Sequence, residues 1–161
     1  MDVFDIGVIV VKRQVTAGPW TSHAWLPYAV LPAVPAATPG AELGGDAEDT
    51  FFYAGPAQVV LERSATAHYR DNLTSTRPSL WVSLKMTEDG CELTSVTADP
   101  YEGEAMTEAI GSVVEAVPMP EKIRAGIADF VAAFHVERPF IKRQRNRHDP
   151  DRRRAEPEQR P

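Results

Sequence analysis

Cysteine is almost missing from this chain: Cys91 is the single thiol in 161 residues. One thiol excludes an internal disulfide, and it excludes a zinc ribbon or an iron–sulfur cluster built from one chain's thiolates. Such a residue is expected to serve as a small core hydrophobe rather than a redox centre. Histidine is scarce too. His23, His68, His135 and His148 lie far apart, and none pairs with another at the short spacing that sets two imidazoles on one helical face. No metal ligand is therefore assigned. No apolar run approaches the ~20 residues that span a bilayer. Met1-Asp2-Val3-Phe4-Asp5 has acids where a secretory leader would carry positive charge. A cytoplasmic protein without a membrane span is the expectation.

Several catalytic and binding signatures are missing as well. No Gly-Lys-Ser/Thr occurs, and Gly40, Gly44 and Gly45 do not follow a strand and open a helix, so neither standard phosphate-cradling loop is present. There is no Gly-x-Ser-x-Gly elbow, and no cysteine stands beside an activating base. Glu42, Asp46, Glu48 and Asp49 cluster, but without the alternating oxygen donors and central glycine of a calcium loop. They read as solvated acids in a connection. No catalytic residue and no cofactor are assigned.

What the chain does have is a division of charge. Residues 1–141 hold 9 Lys/Arg against 19 Asp/Glu, a net −10, whereas residues 142–161 hold 8 against 4, a net +4. A polar basic terminus cannot bury enough apolar surface to order itself, so a disordered tail is expected whose use is to touch something acidic, a partner or its own body. Its candidate contact residues are Lys142, Arg143, Arg145, Arg147, Arg152, Arg153 and Arg154. The first of these follow the last predicted helix and suit its negative end, but Arg152, Arg153 and Arg154 continue past the reach of that dipole. A nucleic-acid partner is disfavoured, because the −10 body repels phosphate.

Periodicity predicts a single α+β domain over residues 1–141, with a mainly antiparallel sheet of about five or six strands and two main helices in the C-terminal half. Val3–Val15 reads as a strand covered on both faces, hairpinned through Gly18-Pro19 to a second strand running from Trp20 to Pro32. Pro27 and Pro32 restrict pairing there to an edge position or to the strand ends. Residues 33–49 show no sustained period and read as a long connection. Thr50–Tyr53 and Gln58–Glu62 are two strands, or one broken at Gly55-Pro56, and a short helix or turn is expected at Ala65–Asn72. Ser79–Met86 and Leu93–Thr97 flank Asp89-Gly90, a hairpin signal. Asp99, Pro100 and Glu102 suit a helix start, which predicts a helix from Asp99 to Ile110 that ends at Gly111. After a strand at Val113–Val117, the spacing of Ile123, Ile127, Phe130, Val131 and Phe134 predicts an amphipathic helix over Pro120–His135.

Two polar-aromatic groups stand out within this frame. Trp20, His23 and Trp25 either anchor the first hairpin on the core or form a recognition face for a protein partner. His68, Tyr69, Arg70 and Asn72 read as a short amphipathic turn capping nearby backbone groups. With His23 they could instead converge on one cleft that binds a small molecule or a molybdopterin-type cofactor, or that acts as an enzyme.

The order of several segments resembles a known family. The marks are Gly7-Val8-Ile9-Val10, Pro19-Trp20 with His23 and Trp25-Leu26-Pro27, Ala29-Val30-Leu31-Pro32, Tyr69 with Asn72-Leu73, and Val82 with Leu84. They continue with Glu115-Ala116-Val117-Pro118-Met119-Pro120 and the exit Val136-Glu137-Arg138-Pro139-Phe140 with Lys142-Arg143. The chain is similar to the uncharacterised bacterial domain family encoded beside molybdenum-dependent formate dehydrogenases and their assembly chaperones. That resemblance implies a cytoplasmic accessory role in assembly or maturation of such a molybdoenzyme, with dehydrogenase subunits or their chaperones as partners. It carries no reaction, cofactor or binding residue with it.

Overall fold

In the computed structural model, which describes residues 2–137, the chain builds outward from strand β1, Asp2–Ala17. Its centre is buried on both sides, as a run of β-branched residues broken only by Gly7 suggests. Ile6, Val8 and Val10 face the main core, while Gly7 and Val11 are covered on the reverse face. β1 pairs antiparallel with β2 (Trp20–Leu31) through the Gly18-Pro19 turn, where Gly18 has φ +61°, and on its other side with β4 (Asp49–Leu61). Both neighbours bulge against the same short stretch of β1. Tyr28 of β2 and Ala54 of β4 are each left out of the ladder opposite Val8–Val10, and such bulges bend a sheet and increase its twist. β4 is one continuous strand, with Gly55 at φ +135° carrying it past the bulge.

The connection over residues 33–49 is more ordered than its composition suggests. It contains a short strand, β3 (Glu42–Gly45), that pairs with β4 and extends the sheet to the order β2-β1-β4-β3. Backbone pairing to an exposed sheet edge needs no alternating side chains, which is why Gly44 and Gly45 give no periodic signal. Pro35 lies over Gly7, where a Cβ would come within 2.9 Å of the proline Cδ. The connection thereby covers the reverse face of β1.

A second sheet has the order β6-β5-β7, from β5 (Ser79–Thr87), β6 (Gly90–Thr97) and β7 (Ser112–Pro118). The α+β class and the antiparallel pairing are as expected, and the strands divide into two sheets of four and three. Leu80, Val82 and Leu84 of β5 meet Ile6, Val8 and Val10 in one shared core. Helix α1 (Thr66–Thr74), entered through a 3₁₀ turn at Arg63–Ala65, and helix α3 (Glu121–Phe134) close one end of that core through Tyr69 and Phe130, whose rings meet edge-on at 6.2 Å. α3 buries Ile123, Ile127 and Phe130, the face its spacing marks, with Pro120 and His135 as its caps.

Helix α2 (Pro100–Met106) lies on the outer face of the second sheet and is a turn shorter than the Asp99–Ile110 expectation. Asp99 does cap it, its carboxylate accepting from the N–H groups of Tyr101 and Glu102. Past Met106 the amides of Thr107, Glu108 and Ala109 turn back to carbonyls three residues earlier, and Ile110 is fully exposed. No apolar contact is left to sustain another helical turn. α2 sits close to the sheet because Gly103 leaves room for the Trp81 side chain. Gly→Ala in a helix normally stabilises by about 1 kcal/mol. Here Gly103→Ala is expected to destabilise by about 1–3 kcal/mol through overpacking, a sign reversal that urea denaturation will read directly.

Candidate functional site

α1 is the element around which the polar chemistry gathers, and it faces three ways. Inward it presents Tyr69 and Asn72, three residues apart and both buried. The Tyr69 hydroxyl accepts from the Glu62 amide at 3.0 Å, and burial pushes its phenol up from the ordinary value, partly opposed by that hydrogen bond. The Asn72 amide donates to the carbonyls of Ser79 (2.8 Å) and Ala98 (2.9 Å), and its oxygen accepts from the Ser79 amide at 3.0 Å. These two side chains satisfy backbone groups that pairing leaves free, the capping role that the sequence allows for this segment. Asn72→Ala leaves the part-buried Ser79 N–H and carbonyl and the buried Ala98 carbonyl unpaired. A loss of about 3 kcal/mol is expected in urea unfolding, and a loss below 1 kcal/mol would show that water replaces the amide.

A second direction points at α2. His68 Nδ1 lies 2.9 Å from Asp99 Oδ2. Because a carboxylate can only accept, Nδ1 carries the hydrogen. The imidazole rests on Tyr101 with ring centres 4.4 Å apart. A cleft of about 360 Å³ opens alongside, bordered by Asp71, Trp81, Pro100 and Tyr101.

The third direction is a larger cleft, about 1020 Å³, between α1 and the end of α3. Its polar wall is a chain of hydrogen bonds with a single consistent proton arrangement. The Arg70 Nη1 can only donate, so His135 Nε2, at 3.2 Å, accepts. The His135 hydrogen then sits on Nδ1 and is donated to Thr66 Oγ1 at 3.1 Å, and the Thr66 hydroxyl donates to the Arg63 carbonyl. The second hydrogen of Arg70 Nη1 goes to Glu137 Oε1 at 2.9 Å. Arg63 stacks over the Phe134 ring at 4.0 Å.

The residues singled out in the sequence therefore do not converge. His68 faces α2, Tyr69 is in the core, Arg70 lines the large cleft, Asn72 is a buried clamp, and exposed His23 sits on β2 opposite Gln14, lining neither cleft. Trp20 and Trp25 are also parted. An odd spacing of five along a strand sends their side chains to opposite faces. Trp25 turns inward, packed on Phe52 at 5.1 Å, under Lys12 Nζ at 5.5 Å, and against Gly90 of the second sheet. Trp20 stays 78 % exposed on the outer face. The grouping of both tryptophans into one recognition face is corrected on this point. Lys142, Arg143, Arg145, Arg147, Arg152, Arg153 and Arg154 lie outside the described residues.

Sequence reasoning gave no cleft role to Arg63, Thr66, Phe134, His135 or Glu137. The only local signal is that Arg63 and Arg70 are seven apart, two helical turns, and so share a side. The partners of Arg70 come from 65 and 67 residues further on, and Arg63 meets Phe134 from the same distant helix end. Among the described residues, no group of three or more His, Cys, Asp or Glu is placed to hold a metal ion, and no helix is long and apolar enough to cross a membrane. Cys91 is half-buried against the core, and burial raises its thiol above the ordinary value. Its thiolate fraction at neutral pH is thus below that of a free thiol. Alkylation by iodoacetamide is expected to run several-fold slower than for glutathione at equal pH and to keep rising beyond pH ~9. A rate that levels off at the free-thiol value would exclude the shift.

These features define an antiparallel α+β domain of two packed sheets with two clefts flanking one short helix. The chain belongs to the family described as Protein of unknown function (DUF3305), which matches residues 5–144. No curated protein and no solved structure matches it.

Proposed function

We propose that this protein is a non-catalytic accessory factor that works by binding another protein, and that the partner is a cytoplasmic formate dehydrogenase-type molybdoenzyme or one of its assembly chaperones. The observation that carries the binding role is the outer face of the first sheet. Trp20 is 78 % exposed opposite Ala17, with Val15 diagonal to it, and further along the same face Tyr28 is 51 % exposed and stacked on Phe51 at 4.7 Å. An exposed tryptophan and tyrosine offer large contact area with little side-chain entropy to lose, the residue types that anchor protein interfaces. The enzyme class comes from the resemblance described for the sequence. In this reading the aromatic face supplies contact energy, and the basic residues 142–161 supply long-range attraction that speeds encounter and fades with salt.

Affinity capture with the full-length chain from its native host tests this. Dehydrogenase subunits or their chaperones are expected in the eluate, reduced at least about tenfold by the double variant Trp20→Ala, Tyr28→Ala. Deleting residues 142–161 is expected to weaken capture at low salt and to change little at high salt. An eluate free of both partner types sinks the enzyme assignment, and capture indifferent to the double variant removes the aromatic face from the mechanism.

A further inference from the structure

We infer that the large cleft between α1 and the end of α3 is a docking site for an acidic peptide segment of a protein partner, read by Arg63 and Arg70. The inference rests on the protein-binding reading and deepens it by naming the chemistry of what is bound. Four features lead there.

First, the two guanidiniums are held by different means, and each keeps donors to spare. The Arg63 guanidinium sits over the Phe134 ring, and among the described residues its side chain makes no hydrogen bond. Arg70 is tethered through Nη1 alone. A stacked or tethered guanidinium is pre-organised, so less entropy is lost when its planar edge takes a carboxylate. Second, the cleft already contains an example of its ligand. Glu137 follows His135, whose backbone is extended (φ −73°, ψ 125°), and places a carboxylate on Arg70 from beyond the helix end. A carboxylate carried on non-helical chain is what a partner's acidic segment would present.

Third, that internal contact is easily exchanged. Arg70 and Glu137 side chains are 49 % and 75 % exposed, and exposed ion pairs contribute little. By contrast, His135 Nε2 holds Arg70 from the other side while Nδ1 is bonded to Thr66, so the guanidinium stays in place when Glu137 leaves. Fourth, at about 1020 Å³ the cleft exceeds what one small oxyanion fills, and Phe134 and Ala67 give it apolar wall for the stems of side chains. Asp71 also borders the cleft, so once Glu137 is displaced two guanidiniums face one fixed carboxylate, a local cationic surplus in a body of net −10.

The test uses the full-length chain at physiological salt and a fluorescein-labelled octapeptide alternating glutamate and alanine, with its glutamine counterpart as control. Anisotropy is expected to show binding of the acidic peptide only, weakened about tenfold or more by Arg70→Gln. Glu137→Gln, which removes the competing internal carboxylate, is expected to tighten binding about threefold. This second variant alters an exposed residue, so it decides the matter even if Arg70→Gln fails to fold. Amide NMR shifts on titration should fall on residues 63–71 and 134–137. Binding abolished by a triple Arg152→Gln, Arg153→Gln, Arg154→Gln variant but untouched by Arg70→Gln and Glu137→Gln overturns the cleft. Inorganic phosphate that displaces the peptide at equal affinity overturns the peptide class in favour of a small-oxyanion site. Loss of peptide binding with dehydrogenase capture intact discards this inference alone, whereas peptide binding without capture discards only the named partner.

Discussion

A single buried amide holds the polar half of this molecule in register. Asn72 ties α1 to the start of β5 through both atoms of the Ser79 backbone and to the β6–α2 junction through the Ala98 carbonyl. The three bonds offset the cost of taking the amide out of water and give α1 one position. From that position the rest follows. Tyr69 seats on Phe130, His68 meets Asp99 at the cap of α2, and Arg70 reaches the residues that leave α3. The helix has little apolar character of its own, so this polar clamp joins the Tyr69–Phe130 and His68–Tyr101 contacts and Leu73 on the core in placing it.

The two sheets and the helices divide the work between rigidity and recognition. Inside, β-branched residues of β1 and β5 form a dry core that needs no polar partner. Outside, the reverse face of β1 is roofed by the proline-bearing connection near Gly7 and left open toward Trp20, where the apolar surface is exposed. The clefts lie beside α1, and the larger of them carries two guanidiniums. An aromatic face and a guanidinium-lined cleft are different recognition chemistries, one insensitive to salt and one weakened by it. A protein that carries both can gain encounter rate from charge and residence time from apolar burial.

Much of the architecture is legible in the residues because it rests on local periodicity. β1, the first hairpin, the β5–β6 hairpin and the buried face of α3 follow from alternation, turn residues and a 3.6-residue spacing. Where a segment's structure depends on something distant, the local pattern is silent. β3 exists because β4 offers it an edge, and α2 stops where no partner surface continues. The two tryptophans show the same limit from another side. Their nearness in the chain suggests one face, but their spacing of five on a strand opposes them.

Composition and pattern alone established an acidic α+β domain with a basic terminus, one thiol, no phosphate loop and a strand-rich N-terminal half, since these are properties of single residues and their nearest neighbours. Which side chains share a cleft was settled by folding. Arg63 and Arg70 acquire Phe134, His135 and Glu137 only when α3 docks against α1. Contacts across more than sixty residues depend on the packing of the whole core, and no local sequence signal encodes them.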